Sequence, residues 1–100
     1  MIKQKLIFYP EKAIIPYTYE NKSVLYQEDL DNVKTLGIEP NTFWYDERKK
    51  IEWKLVQILN EKESYWYNGK PCFLRLHRTN SNELRIVTFD ELLEFTQLTT

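Results

Sequence analysis

The chain contains only one cysteine, Cys72, and one histidine, His77, among its 100 residues. A single cysteine cannot form a disulfide within the chain. One cysteine and one histidine are also too few for a structural zinc site, which takes four ligands of this kind. The sequence therefore predicts no disulfide and no bound metal, and the reducing cytoplasm is the expected location.

Long apolar runs and an excess of charge are also missing. No stretch approaches the ~18 consecutive apolar residues of a membrane span, and the N-terminus does not lead into the apolar run of a signal peptide. Because 14 Lys and Arg residues meet 15 Asp and Glu residues, neither a broad basic face for nucleic acid nor an acidic DNA mimic is indicated. We expect residues 1–100 to form one small soluble domain without membrane contact.

Glycine and alanine are scarce, whereas aromatic residues are abundant. The chain has two glycines, and Ala13 is its only alanine, so the best helix former is almost absent. Aromatic residues make up 15% of the chain. Aromatic and β-branched side chains fit a pleated, half-buried surface, and the composition therefore favours strands.

Alternating apolar and polar residues predict most of a sheet. Residues 43–59 fit both a helical stripe and a strand pattern, and we favour strands because helix formers are missing. Asn68-Gly69 is the strongest short signal for a hairpin turn. Residues 10–22, which contain two prolines, are read as an irregular arm or a short edge strand. We predict strands at residues 2–9, within 43–59, and at 64–67, 72–77 and 84–88.

Two segments carry helical signals. Tyr26, Leu30 and Val33 recur at helical spacing, and Gly37 suits the position that follows a helix C-terminus. Thr88 and Glu91 match a capping box, which opens a helix. We therefore predict helices near residues 24–36 and 89–97, with a frayed tail from Leu98 to Thr100.

The expected fold class is α+β: a β-rich antiparallel meander with one helix before it and a short helix after it. A strongly bent meander of this length can close into a small SH3-like barrel. That resemblance extends only to the meander and its patterning, and it implies no function.

No catalytic constellation is evident. Side chains alternate along a strand, so Cys72 and His77, five residues apart, should point to opposite faces and cannot form a nucleophile pair. Acidic residues at 28–31 and 90–94 fall near predicted helix N-termini, where the helix dipole favours negative charge. The two glycines are isolated and form no phosphate-binding loop. We expect neither enzymatic activity nor a cofactor.

A basic patch is predicted on the strands at 72–77 and 84–88. Alternation assigns one side of each strand to the core, namely Cys72, Leu74, Leu76, Leu84 and Ile86. The opposite side then carries Phe73, Arg75, His77 and Arg85, with Arg78 at the strand end. Arginine beside an exposed aromatic ring suits carboxylates, phosphates or stacked bases. The competing interpretation is a solvated face whose arginines pair with acids such as Glu83.

The aromatic run Tyr65-Trp66-Tyr67 is a second candidate. Three consecutive aromatics cannot all point inward from a strand, so either Trp66 or both tyrosines must face outward. Tyrosine and tryptophan are enriched at protein interfaces. The competing explanation is that a small domain with a single alanine uses large side chains to cover its core.

These features favour a small non-enzymatic interaction or regulatory protein, such as an accessory factor or inhibitor of the kind that mobile elements encode. It would bind a protein partner through the aromatic and basic sheet face, with Tyr65, Trp66, Tyr67, Phe73, Arg75, His77 and Arg85 as binding residues. The alternative is a nucleic-acid-binding module that uses Arg75, His77, Arg78 and Arg85 with stacking aromatics. A homodimer through the same face is a third interpretation, because such a surface can also satisfy itself.

Overall fold

A computed structural model describes residues 2–5 and 22–99, with side chains for residues 22–98. The elements in chain order are β1 (Ile2–Lys5), α1 (Lys22–Thr35), β2 (Thr42–Asp46), β3 (Ile51–Ile58), a 3₁₀ helix (Glu61–Glu63), β4 (Tyr65–Tyr67), β5 (Lys70–Arg78), β6 (Leu84–Thr88), α2 (Phe89–Leu93) and β7 (Thr96–Thr99). The predicted strand beyond Lys5 and the predicted arm lie outside the described residues. The fold is α+β and β-rich, as predicted.

The strands form one antiparallel sheet in the order β6-β5-β3-β2-β7-β1, with β4 at one end of β5. Cys72 of β5 lies opposite both Tyr65 of β4 and Thr88 of β6. β4 and β6 therefore occupy opposite edges of β5, and β4 continues the edge that β3 begins.

The ambiguous segment at residues 43–59 forms strands, which confirms the favoured interpretation. β2 and β3 pair so that Trp44 lies opposite Trp53, and both side chains are buried. The connecting turn contains Lys50 with a φ of 58°. The predicted hairpin turn is also confirmed, since Asn68 and Gly69 have φ values of 50° and 74°, as a type I′ turn requires.

α1 ends as the sequence predicts. Gly37 has a φ of 70°, the N–H of Ile38 donates to the C=O of Val33 at 3.0 Å, and the N–H of Gly37 donates to the C=O of Lys34 at 3.0 Å. These two bonds define a Schellman motif, and Val33 and Ile38 are both buried beside it. The helix therefore stops where a left-handed residue satisfies its last carbonyls.

α1 packs through Tyr26 against the face of β5 that carries Phe73, Arg75 and His77, which we call the outer face. The ring of Tyr26 meets the ring of Phe73 edge-to-face with centroids 5.3 Å apart, and its hydroxyl donates to the C=O of Leu59 at 2.6 Å. Tyr26 and Phe73 belong to the same core cluster as the buried residues of the sheet. Its fully buried members are Val33, Trp44, Leu55, Phe73, Leu74, Leu76, Val87 and Leu92.

The C-terminal segment differs from the prediction. The capping box is present, because Thr88 Oγ1 accepts from the N–H of Glu91 while the Glu91 carboxylate accepts from the N–H of Thr88. However, α2 ends at Leu93, and Leu98 and Thr99 of the tail that we expected to fray belong to strand β7, which pairs with both β1 and β2. Both partners are distant in sequence, so no local signal announces the strand.

The short connection through α2 requires a curled sheet. In a flat sheet, Thr88 and Thr96 would lie four strand spacings apart across the sheet and about the length of β5 apart along the strands. These two displacements together would separate the residues by about 30 Å. The chain that connects them consists of the five residues of α2 and a few flanking residues, and it spans less than about 20 Å. The sheet must therefore curl until its β6 side approaches the turn between β2 and β3. Pairing of β6 with β7 or β1 is not seen among the described residues, so closure into an SH3-like barrel stays a prediction.

Candidate functional site: a groove beside strand β6

The pairing register corrects the predicted faces of β6. Directly opposite residues of antiparallel strands share a face. Val87 lies opposite Leu74, and both are fully buried, whereas Ile86 lies opposite Arg75 and Leu84 opposite His77. The prediction that Leu84 faces the core is therefore wrong, because Leu84 is 50% exposed. Ile86 is on the same face as Leu84, opposite to the predicted one, but it is half-buried and packs against the core cluster.

Phe73 is also corrected. It was predicted to be an exposed aromatic residue, but it is fully buried because α1 covers its side of β5 through Tyr26. Trp66 is half-buried, packs against the core cluster, and lies under the ammonium group of Lys22 at 5.4 Å. These two residues belong to the packing of α1 rather than to an open surface.

The predicted arginine cluster does not assemble. Arg85 shares the face of Leu76, opposite to that of Arg75. Its guanidinium pairs with Glu91 at 3.1 Å and lies 5.7 Å from the ring centroid of Phe95. Arg78 pairs with Glu83 at 3.2 Å. These ion pairs match the competing interpretation, in which the arginines pair with acidic side chains.

Arg75 differs from the other two arginines. Its Nη1 donates to Oε1 of Gln57 at 3.4 Å, a long and solvent-exposed bond. Among the described residues, Arg75 pairs with no carboxylate. On the same face, Lys54 lies opposite His77, and its Nζ is 6.0 Å from the ring centroid of Phe43. Within the described part of the chain, neither Arg75 nor Lys54 forms an ion pair on this part of the outer face.

The β6 groove is an open depression of about 670 Å³ between the 3₁₀ helix and the outer side of β6. Tyr65 and Leu84 are its most exposed apolar side chains, at 64% and 50%. The groove is lined by Leu59, Lys62, Glu63, Ser64, Tyr65, Arg75, Leu84, Arg85 and Ile86. It therefore combines apolar walls with the guanidinium of Arg75, which forms no ion pair with the residues that the structure describes.

Three predicted binding residues, Tyr65, Arg75 and Arg85, line this groove. The others do not: Tyr67 is 65% exposed outside it, and His77 lies opposite Leu84 without lining it. Of the two readings for the aromatic run, the structure has both tyrosines facing outward. Sequence reasoning missed Leu84 as a surface residue and Ile86 as a half-buried residue of the groove, because their faces depend on the register set by the turn before β6.

Burial shifts the pKa values of the Cys72 thiol and the Asp29 carboxyl. Burial raises the pKa of the Cys72 thiol, and the carboxylate of Glu91 raises it further. Burial raises the pKa of Asp29 to about 6, with Lys70 opposing the shift and Asp90 and Glu28 adding to it. The Cys72 thiol is thus held in its unreactive protonated form.

A second depression, of about 500 Å³, lies where α2 approaches the turn between β2 and β3. Its lining mixes acids and bases, including Glu47, Arg48 and the Arg85 guanidinium, and Thr96 Oγ1 donates to Oε1 of Glu47 at 3.0 Å. Across residues 22–98, no group of three His, Cys, Asp or Glu side chains could hold a metal ion. No helix in the described part of the chain is long and apolar enough to cross a membrane.

No family model, no curated protein and no solved structure matches the chain. The fold and the groove together define a β-rich α+β protein with an apolar and basic depression on its outer sheet face.

Proposed function

We propose that the chain is a small, non-catalytic regulatory protein of the cytoplasm that binds a protein partner through the β6 groove. The observation that carries this proposal is the juxtaposition of exposed Tyr65 and Leu84 with Arg75, which has no acidic partner among the described residues. Tyrosine and arginine are the residue types that dominate binding energy at protein interfaces.

A non-catalytic role is supported by the state of the reactive side chains. Cys72 is buried with a raised thiol pKa, so it is a poor nucleophile. His77 lies opposite Lys54 and Leu84, neither of which orients an imidazole as a general base would require. These observations favour recognition over chemistry at this face.

The test is affinity capture of the tagged protein from its native cells, with quantitative mass spectrometry. Arg75→Glu and Leu84→Glu change the groove, and Arg48→Glu makes the same charge change at an exposed position outside it. We expect one protein to be captured by the wild type and by Arg48→Glu, and to fall at least about tenfold with either groove variant. A reversed charge repels the partner as well as losing a contact.

Equal capture by all four proteins, each with an unchanged melting temperature, would show that the groove is idle surface. Capture that disappears on nuclease treatment, with an affinity that falls steeply between low and physiological salt, would instead favour the nucleic-acid alternative. An aromatic-anchored protein contact should change only slightly over the same salt range.

A further inference from the structure

Three basic side chains lie together on the outer face of the sheet. His77 of β5 lies directly opposite Lys54 of β3, and Arg75 stands two residues before His77 on the same side of β5. Directly opposite residues have Cβ atoms about 5 Å apart, and alternate residues of one strand are about 7 Å apart. Lys54, Arg75 and His77 therefore form a compact group, which we call the basic cluster.

Within the described part of the chain, no acidic side chain forms an ion pair with the basic cluster. Its three side chains are half-buried, so they attract an anion more strongly than fully solvated charges do. Arg75 donates to the neutral side chain of Gln57, whereas the ammonium group of Lys54 lies near the ring of Phe43. The two charged groups are thus directed to different neighbours, and they suit two separate anions rather than one.

Acidic side chains that border the basic cluster are held by other groups. Glu52, two residues before Lys54 on the same side of β3, accepts from the hydroxyl of Thr79 at 2.8 Å. Glu83, at the start of β6, pairs with Arg78 at 3.2 Å. A nucleic-acid strand carries one negative charge for about every 3.4 Å of rise, so it would extend beyond the cluster onto these acids. Two isolated carboxylates of a protein fit the confined positive area better.

The basic cluster is continuous with the apolar wall of the β6 groove. Leu84 of β6 lies opposite His77, on the other side of β5 from Lys54, and it is 50% exposed. Leu84, His77 and Lys54 therefore form a row across three neighbouring strands at intervals of about 5 Å. Arg75 stands beside this row and lines the groove together with Leu84. A segment that crosses the strands along the row meets an apolar residue first and basic residues next, all on one face.

Resting on the proposed function, we infer that the partner presents one apolar side chain followed by two carboxylates, on a segment that crosses the outer face from Leu84 to Lys54. The apolar side chain covers Leu84. The first carboxylate accepts from Arg75 and from His77, whose imidazole carries an N–H in either protonation state, and the second accepts from Lys54. Because the segment lies on the face of the sheet, its apolar and acidic side chains all point the same way.

The probe is a short synthetic peptide with blocked ends, in which leucine, glutamate and glutamate occupy alternate positions separated by serine. Alternate side chains of an extended peptide point to one side about 7 Å apart, so all three can face the sheet together. Titrated into the isotopically labelled full chain at about 0.01 M ionic strength, the peptide should shift the nuclear magnetic resonance signals of Leu84, His77, Arg75 and Lys54. The same peptide with glutamine in place of glutamate should bind at least about fivefold more weakly. Serine in place of its leucine should weaken binding at least about twofold.

Matched charge changes in the protein separate the basic cluster from general attraction. Lys54→Gln combined with Arg75→Gln should weaken binding of the peptide at least about fivefold. Arg48→Gln combined with Lys49→Gln removes the same charge from the exposed turn between β2 and β3, and it should change binding by less than about twofold. Thermal unfolding checks that each variant is folded. If either double variant is not, its single substitutions replace it, and each one in the basic cluster should weaken binding about twofold.

No binding, equal binding of the glutamine peptide, or signal changes centred on Arg48 would overturn the inference. So would tighter binding of trithymidylate, which carries the same two negative charges, because the nucleic-acid alternative would then fit the basic cluster better. Partner capture that depends on Arg75 and Leu84 but is unchanged by Lys54→Gln and by His77→Gln would reject the acidic segment and leave the proposed function standing. Capture independent of Arg75 and Leu84 would reject the proposed function itself.

Discussion

Arg75 and Arg85 show how neighbouring strands give similar residues different environments. Both were predicted to be exposed on one face. The register turns Arg85 to the face of Leu76, where it pairs with Glu91 and lies against Phe95, whereas Arg75 stays on the outer face. The two positions should therefore respond differently to the same substitution.

Arg85→Glu should lower the free energy of unfolding by about 1–2 kcal/mol, because it replaces an ion pair and a ring contact with repulsion from Glu91. Arg75→Glu should change it by less than about 0.5 kcal/mol, as exposed substitutions usually do. Urea unfolding of the two variants measures both values. Equal effects of the two substitutions would contradict their assignment to opposite faces. In a Glu91→Gln background, Arg85→Glu should lower the free energy of unfolding by less, because the repulsion from Glu91 is removed.

At the scale of the element, local sequence signals predicted where helices and turns begin or end better than they predicted which strands pair. The Schellman motif at Gly37, the turn at Asn68-Gly69 and the capping box at Thr88 lie where the sequence puts them. Each depends on interactions among a few consecutive residues. The strand β7, whose hydrogen bonds all come from distant strands, was the element that local patterns missed.

Gly37→Ala should lower the free energy of unfolding by about 1 kcal/mol, because a left-handed conformation is unfavourable for residues with a Cβ. A Cβ at this position would meet nothing within 4 Å, so the cost comes from the backbone alone. Gly37→Asn is the control and should cost less, since asparagine tolerates positive φ. Urea unfolding checks the order. An alanine variant as stable as the wild type would contradict the backbone assignment at the end of α1.

At the scale of the whole molecule, α1, β5 and α2 meet around one buried carboxylate. Asp29 of α1 is 7% exposed, and Lys70 of β5 pairs with Asp90 of α2 at 3.7 Å beside it. The pKa of Asp29 is raised to about 6 in the fold. The folded state therefore holds this proton more tightly than the unfolded chain does, and folding becomes less favourable as the pH rises through 6.

Asp29→Asn should consequently raise the free energy of unfolding at pH 7.5 by about 1–3 kcal/mol. At pH 4.5 about a third of the gain should remain, because the native carboxyl is then protonated while most of the unfolded chain is still ionised. Urea unfolding of the variant and the wild type at both pH values measures the difference between their free energies of unfolding. The contributions of the other carboxylates largely cancel in this difference, because both proteins contain them. Asp90→Asn is the control at an exposed acid near the same lysine. A gain that does not depend on pH would show that Asp29 is not the titrating group.

By itself, the amino-acid sequence determined the fold class, the strands within residues 43–59, the cap of α1, the hairpin at Asn68-Gly69 and the start of α2. These features follow from periodicity and from bonds between residues close in sequence. Only the tertiary structure decided that Phe73 lies under α1, that Leu84 is exposed, and that Leu98 and Thr99 join the sheet. The reason is physical: a shift of one residue in strand pairing exchanges the faces of a whole strand, and neither that register nor the covering of a face by a helix follows from alternation within one strand.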